Sequence, residues 1–286
     1  MSNYSKQWDS ETPGYIIFLV DQSRSMNEPY PVNERKDVFT STVINRTIKR
    51  LIDINKAGKV IKNRAKISLI GYGGNGDDSV DEIRSDFLSS FAENPLGIKD
   101  GKQKTYDGNG DMIEVDVKIP IFIEPTAKGL TPMGPALEYA KQLIESWLSE
   151  YPNNPAPIII NISDGMPYDS RDNSDRAEQD AINAATSIMN LSCIDGNPLI
   201  FNAHIGNGSE KCICSASESE LPDEQAKFLF KISSKIPQSY QAYAREEGLE
   251  TSTNSRGFVS NADPETFTKF IYFGVTGATN GDDRSN

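Results

Sequence analysis

The chain is poor in the residues that build many enzyme and metal centres, with three cysteines and one histidine in 286 residues. So sparse and odd a cysteine set excludes a disulfide framework. A lone histidine, His204, with no serine motif beside it, removes most catalytic triads. Long apolar runs are missing as well. The longest, YIIFLV and PIIINI, are strand-length and too short to cross a bilayer. Positive charge is in deficit, 29 Lys and Arg against 41 Asp and Glu, for a formal charge of -12. That balance argues against nucleic acid or an anionic membrane face as a partner. It leaves room for cations. The opening MSNYSKQWDSET is polar and carries no visible secretory signal. The expectation is a soluble cytoplasmic protein in a reducing compartment.

What is present is an alternation of strand and helix. Residues 15–20 are a continuous apolar run, as expected of a central parallel strand covered on both faces. Phe39, Val43, Ile44, Ile48, Leu51 and Ile52 follow at helical spacing. AKISLIGYG, APIIINISDG and PLIFNAHIG read as further strands. Helices are predicted after GLTPMG, around Ala177–Ile188, in DEQAKFLFKISSKIP and in ADPETFTKFIYFGV. The pattern predicts an α/β fold, a doubly wound and mostly parallel sheet with helices on both faces. Residues 1–12 are set apart as a tail. Residues 13–275 read as one domain with excursions near 75–112 and 207–260, and residues 276–286 as a flexible end.

The first strand changes character at its end, where IIFLVDQSRSMNEP brings Asp21, Ser23 and Ser25 onto alternate positions. Asp164 in IINISDGMP also sits just past a buried strand. Thr131 in GLTPMGPAL stands at a helix start, where a threonine can cap the first turn. In a doubly wound sheet, ligands bind beyond the carboxyl ends of the strands. Three loops can therefore meet there with two carboxylates and three hydroxyls. Such oxygens suit a hard divalent cation, since Mg²⁺ takes about six oxygens in a near-octahedral shell. Neutral hydroxyls leave the metal electrophilic enough to accept an outside carboxylate.

In these residues the chain resembles the von Willebrand factor A domain, whose metal-ion-dependent adhesion site reads Asp-x-Ser-x-Ser, then a distant Thr, then a distant Asp. The wording of TPMGPAL and SDGMP resembles bacterial, cytoplasmic, TerY-like members. The resemblance implies a Rossmann-like sheet, with Mg²⁺ or Mn²⁺ held by Asp21, Ser23, Ser25, Thr131 and Asp164. It implies direct ligation by the three hydroxyls, with the two acids acting largely through water. It further implies a non-enzymatic module that takes an Asp or Glu of a protein partner. The TerY-like relation adds Ser/Thr phosphatases or kinase-like proteins as partners in stress or signalling systems. The alternative is an accessory subunit of a chelatase, ATPase or phosphatase complex. Arg24 stands where the family often has glycine; facing the site it would weaken cation binding or help hold an acidic ligand, and facing solvent it would do neither.

Other motifs are weaker. GYGGNG matches G-x-G-x-x-G, but Asp77 and Asp78 stand where pyrophosphate would bind, so a glycine-rich turn is expected. YDGNGDMIEVD fails the register of a calcium loop and reads as a hairpin turn. Cys193, His204, Cys212 and Cys214 offer a Cys₃His zinc set, against which small buried cysteines are the simpler reading. An aspartyl-phosphate nucleophile at Asp21 would normally have a second Asp two residues on, and Ser23 stands there.

Overall fold

The computed structural model describes residues 4–30, 34–106, 111–206, 208 and 210–276. Seven strands form the central sheet: β1 (Gly14–Asp21), β2 (Ala65–Tyr72), β3 (Val80–Phe87), and β6 to β9 (Ile158–Ser163, Leu199–His204, Cys212–Ile213, Phe258–Ser260). Two more, β4 (Gly97–Tyr106) and β5 (Met112–Ile121), pair antiparallel as a separate hairpin. Their turn, residues 107–110, contains most of the rejected calcium loop and lies outside the described residues. The sheet order is β8-β9-β7-β6-β1-β2-β3. The five inner strands run parallel, and β3 and β8 close the edges antiparallel.

Every residue of β1 is buried because the strand is flanked on both sides and covered on both faces. Ile16, Phe18 and Val20 join one core, with residues of α1 (Lys36–Ile54) and the C-terminal helix Pro264–Thr276. Tyr15, Ile17 and Leu19 join the other, with the helices Met133–Glu150 and Ser174–Met189. Period-2 alternation is therefore present but invisible in the sequence, since both faces demand apolar side chains. A polar ladder also crosses the second face. Tyr72 donates to Asn161 at 3.0 Å, Asn161 to Asn202 at 2.8 Å, and Asn202 to Ser233 at 2.9 Å. Buried amides of this kind are tolerated because each finds a partner.

GYGGNG is a glycine-rich turn, as expected, and two other segments depart from the expected layout. The GYGGNG segment leads into β3 rather than a helix, so no helix N-terminus follows it to receive a phosphate. Gly73 has φ +77°, and a Cβ there would lie 2.1 Å from the Leu130 carbonyl oxygen. That turn needs glycine for a close approach to residues 129–131. First, β3 is a half-buried edge strand, VDEIRSDF, whose charges hide it among loop residues. Secondly, the segment 4–12, read as a tail, is anchored to the body at a few residues. Trp8 is buried in the first core, and the Ser5 and Lys6 amides donate to Asp195 at 2.8 and 3.0 Å. No helix among the described residues is long and apolar enough to cross a membrane.

Candidate cation site at the strand ends

Asp21 ends β1, and Asp164 follows the last residue of the adjacent β6. Parallel pairing thus puts both acids at one edge of the sheet. The Ser23 amide donates to Asp21 Oδ1 at 2.9 Å, and the Ser163 hydroxyl donates to Asp21 Oδ2 at 2.6 Å. Ser23 and Ser25 hydroxyls are 3.1 Å apart, and Ser25 Oγ donates to Asp164 Oδ1 at 2.8 Å. Two buried carboxylates are therefore joined through the Ser23 amide and the paired Ser23 and Ser25 hydroxyls. Residues 22–24 run beside residue 129, with the Arg24 amide donating to the Gly129 carbonyl at 2.9 Å. On its other side Thr131 exchanges backbone hydrogen bonds with Tyr168, at 2.8 and 3.0 Å. The Thr131 loop is held between the other two.

Thr131 does not cap the following helix. That helix starts at Met133, with Pro132 as its N-cap and no side-chain capping bond. Thr131 is a largely buried residue, and its hydroxyl makes no hydrogen bond to another described residue; it is not one of the enclosed polar atoms left without a partner, so it opens to solvent at the strand ends. Arg24 faces away from the oxygens. Its side chain is 66% exposed and reaches Asp77 at 2.8 Å and the Lys128 carbonyl at 2.8 Å. It fastens two turns together on the outer surface.

Electrostatically the site is unbalanced. Burial, and after it the nearby Asp164 carboxylate, pushes Asp21 up to about 6. Two carboxylates and three hydroxyls, one without a partner, form a donor set that fits a hard cation. The same shift gives a test on the metal-free protein. Asp21 takes its proton near pH 6 when folded but near 3.9 when unfolded. The folded state thus binds the proton first, and stability contributed by this group rises as pH falls from 7 towards 4. Tm of chelator-treated protein, measured across that range, should rise more steeply than that of Asp21→Asn. Parallel curves would show that Asp21 titrates normally.

Two groups at the site were not singled out by the sequence pattern. Ser163 is the final residue of an apolar strand and looks structural. Lys36 opens α1, where the helix dipole disfavours a cation, and that mismatch was the available signal. Its ammonium lies 2.7 Å from Asp164 Oδ2 and 3.0 Å from Glu28 Oε2.

The zinc set does not assemble. Cys193 and His204 lie towards opposite ends of β7, and among the described residues no three His, Cys, Asp or Glu side chains group to hold a metal. His204 Nδ1 is 2.7 Å from the Ser260 hydroxyl. Burial lowers the His204 pKa and raises those of all three cysteines, Cys214 to about 12, which opposes the thiolates zinc needs. A groove of about 800 Å³ lined by Phe39, Ile119 and Tyr272 contains none of the five oxygen-bearing residues.

Neither a protein-family model nor a curated protein matches this sequence. Solved structures do. The PilB minor pilin of Streptococcus sanguinis is 13% identical with TM-score 0.50, over 96% of this chain and 62% of that one. The pilus adhesin SpaC of Lactobacillus rhamnosus GG is 12% identical with TM-score 0.44, over 93% of this chain and 30% of that one. The vWF domain of the type V pili tip protein Mfa5 of Porphyromonas gingivalis is 17% identical with TM-score 0.32, over 54% and 38%. This chain thus spans less than two thirds of the length of each, and the likeness to the minor pilin is one of fold. The expected placement among cytoplasmic TerY-like von Willebrand A proteins is overturned: no family model matches the chain, and its fold likeness is to a minor pilin. The physical reason is that five oxygens at strand ends describe a local chemistry. They carry nothing about the hairpin β4–β5, the elements after residue 207, or the cellular setting.

Proposed function

We propose that Asp21, Ser23, Ser25, Thr131 and Asp164 hold a Mg²⁺ or Mn²⁺ ion, and that the chain is a non-enzymatic module binding an acidic residue of a protein partner through it. With this goes the finer fold reading, a von Willebrand A-like sheet carrying a metal-ion-dependent adhesion site. The observation that carries the proposal is the pair of buried carboxylates joined through Ser23 and Ser25, by the Ser23 amide on Asp21, the paired hydroxyls, and the Ser25 hydroxyl on Asp164. A bound cation supplies an electrophilic position that a partner's carboxylate can fill. The protein's own residues do the rest. Ser163 and the Ser23 amide fix the Asp21 carboxylate, Ser25 orients Asp164, and the Thr131 hydroxyl is free to ligate.

Thr131→Ala separates this reading from a purely structural one. The hydroxyl has no partner, so its loss should leave Tm of the chelator-treated protein unchanged. Calorimetric titration with Mn²⁺ should show saturable binding by the parent and at least ~10-fold weaker binding by the variant, since even outer partners of metal ligands are worth about that much. Equal affinities, or no binding and no thermal shift in either protein, would reject the site.

A further inference from the structure

We propose that Lys36 is a specificity-determining residue of this site, a built-in cation that weakens its hold on the metal and strengthens its hold on an anion. The inference rests on the metal-binding reading above. Lys36 is the first residue of α1, and its side chain is only 4% exposed. The partners of its ammonium are unequal. Asp164 is 2% exposed and 2.7 Å away, while Glu28 is 57% exposed and 3.0 Å away, so water screens much of the second contact. The buried pair is the one that shapes the site.

Two consequences follow. Asp164 has both oxygens engaged, Oδ1 by the Ser25 hydroxyl and Oδ2 by Lys36. The carboxylate is thereby oriented through neighbours and spends part of its charge on the ammonium. Charge counting gives the second. Asp21 and Asp164 would neutralise a divalent ion, whereas the same pair with Lys36 leaves the loaded site at net +1. A neutral loaded site has little reason to take a carboxylate from another protein. A positive one, walled by low-dielectric core, attracts it. Arg24, which the sequence suggested for this task, points outward to Asp77, and Lys36 takes the place from beneath.

The test uses Mn²⁺ alone as probe, read by the loss of its free-ion EPR signal, with acetate as the anion. Lys36→Met should bind Mn²⁺ about tenfold more tightly than the parent, the scale expected for removing one nearby unit charge. At equal Mn²⁺ occupancy, acetate NMR lines should broaden less in Lys36→Met than in the parent. Lys36→Arg, which keeps the charge, should follow the parent in both. Opposite movements of cation and anion affinity are not produced by a merely structural lysine. Should Lys36→Met fold poorly, the exposed Glu28→Gln supplies the second arm. It leaves the ammonium wholly to Asp164 and should weaken Mn²⁺ binding about twofold to threefold. Unchanged or weaker Mn²⁺ binding by Lys36→Met, with the parent binding normally, overturns this inference alone. Mn²⁺ binding by Lys36→Met but not by the parent supports it. No binding by either protein overturns both the inference and the functional reading.

Discussion

Asp21→Asn is expected to lose the divalent cation by a factor of ~100 or more while leaving the metal-free fold at least as stable as before. The two halves of this result have separate causes. For the cation, the substitution removes a full charge close to the ion, and at an effective dielectric near 20 a unit charge about 4 Å away is worth about 4 kcal/mol. For the fold, the carbonyl oxygen of asparagine can keep the hydrogen bond from the Ser23 amide, now 2.9 Å long. Ser163 can turn its hydroxyl proton to the Gly165 carbonyl, 3.4 Å away, and accept from the new amide. The buried charge and its repulsion by Asp164 both disappear, and these are the terms that raise the Asp21 pKa. Urea unfolding in chelator and Mn²⁺ titration of the same sample provide the check. A variant that binds Mn²⁺ as the parent does would remove Asp21 from the site. One that unfolds at lower urea would show that the carboxylate serves the fold instead.

Phe201→Ala should cost about 3–5 kcal/mol of stability. Phe201 is fully buried in β7, stacked on Phe273 with ring centroids 5.7 Å apart and 7° between planes. Phe270 and Tyr240 close around it at 6.3 and 6.4 Å. The ring occupies space kept open by glycine: a Cβ on Gly257 would come within 2.0 Å of it, and one on Gly274 within 3.1 Å. Two walls of the cavity left by alanine are therefore backbone, which cannot relax inward as side chains do. The loss belongs at the upper end of the range for that reason. Denaturant unfolding with an unchanged m-value would measure it, and a cost below about 2 kcal/mol would mean the pocket collapses after all.

Much of the fold was legible. YIIFLV, PIIINI and LIFNAHIG are inner parallel strands because only a strand covered on both faces needs unbroken apolar sequence. The helices after GLTPMG and around Ala177 followed from their 3.6-residue spacing. The edge strand Val80–Phe87 and the short Cys212–Ile213 were missed. Val80–Phe87 carries charge at the sheet edge and loses the apolar signature, and Cys212–Ile213 is two residues, too short to show a period. The five oxygens were also legible as residue types after predicted strands and at a helix start. The role of Thr131 was not, because whether a threonine caps or is left free depends on where the helix begins, and it begins two residues later.

By itself the sequence determined which segments are buried strands, and hence that Asp21 and Asp164 stand at strand ends. Backbone alternation and apolar burial are local demands, written residue by residue. Only the tertiary structure decided that β1 and β6 are neighbours, which brings the two acids to one place. It also decided that Arg24 turns outward and that Lys36, 128 residues before Asp164 in the chain, supplies the charge beside it. Charge pairing across such separations depends on how elements pack, and packing leaves no periodic trace in a single sequence.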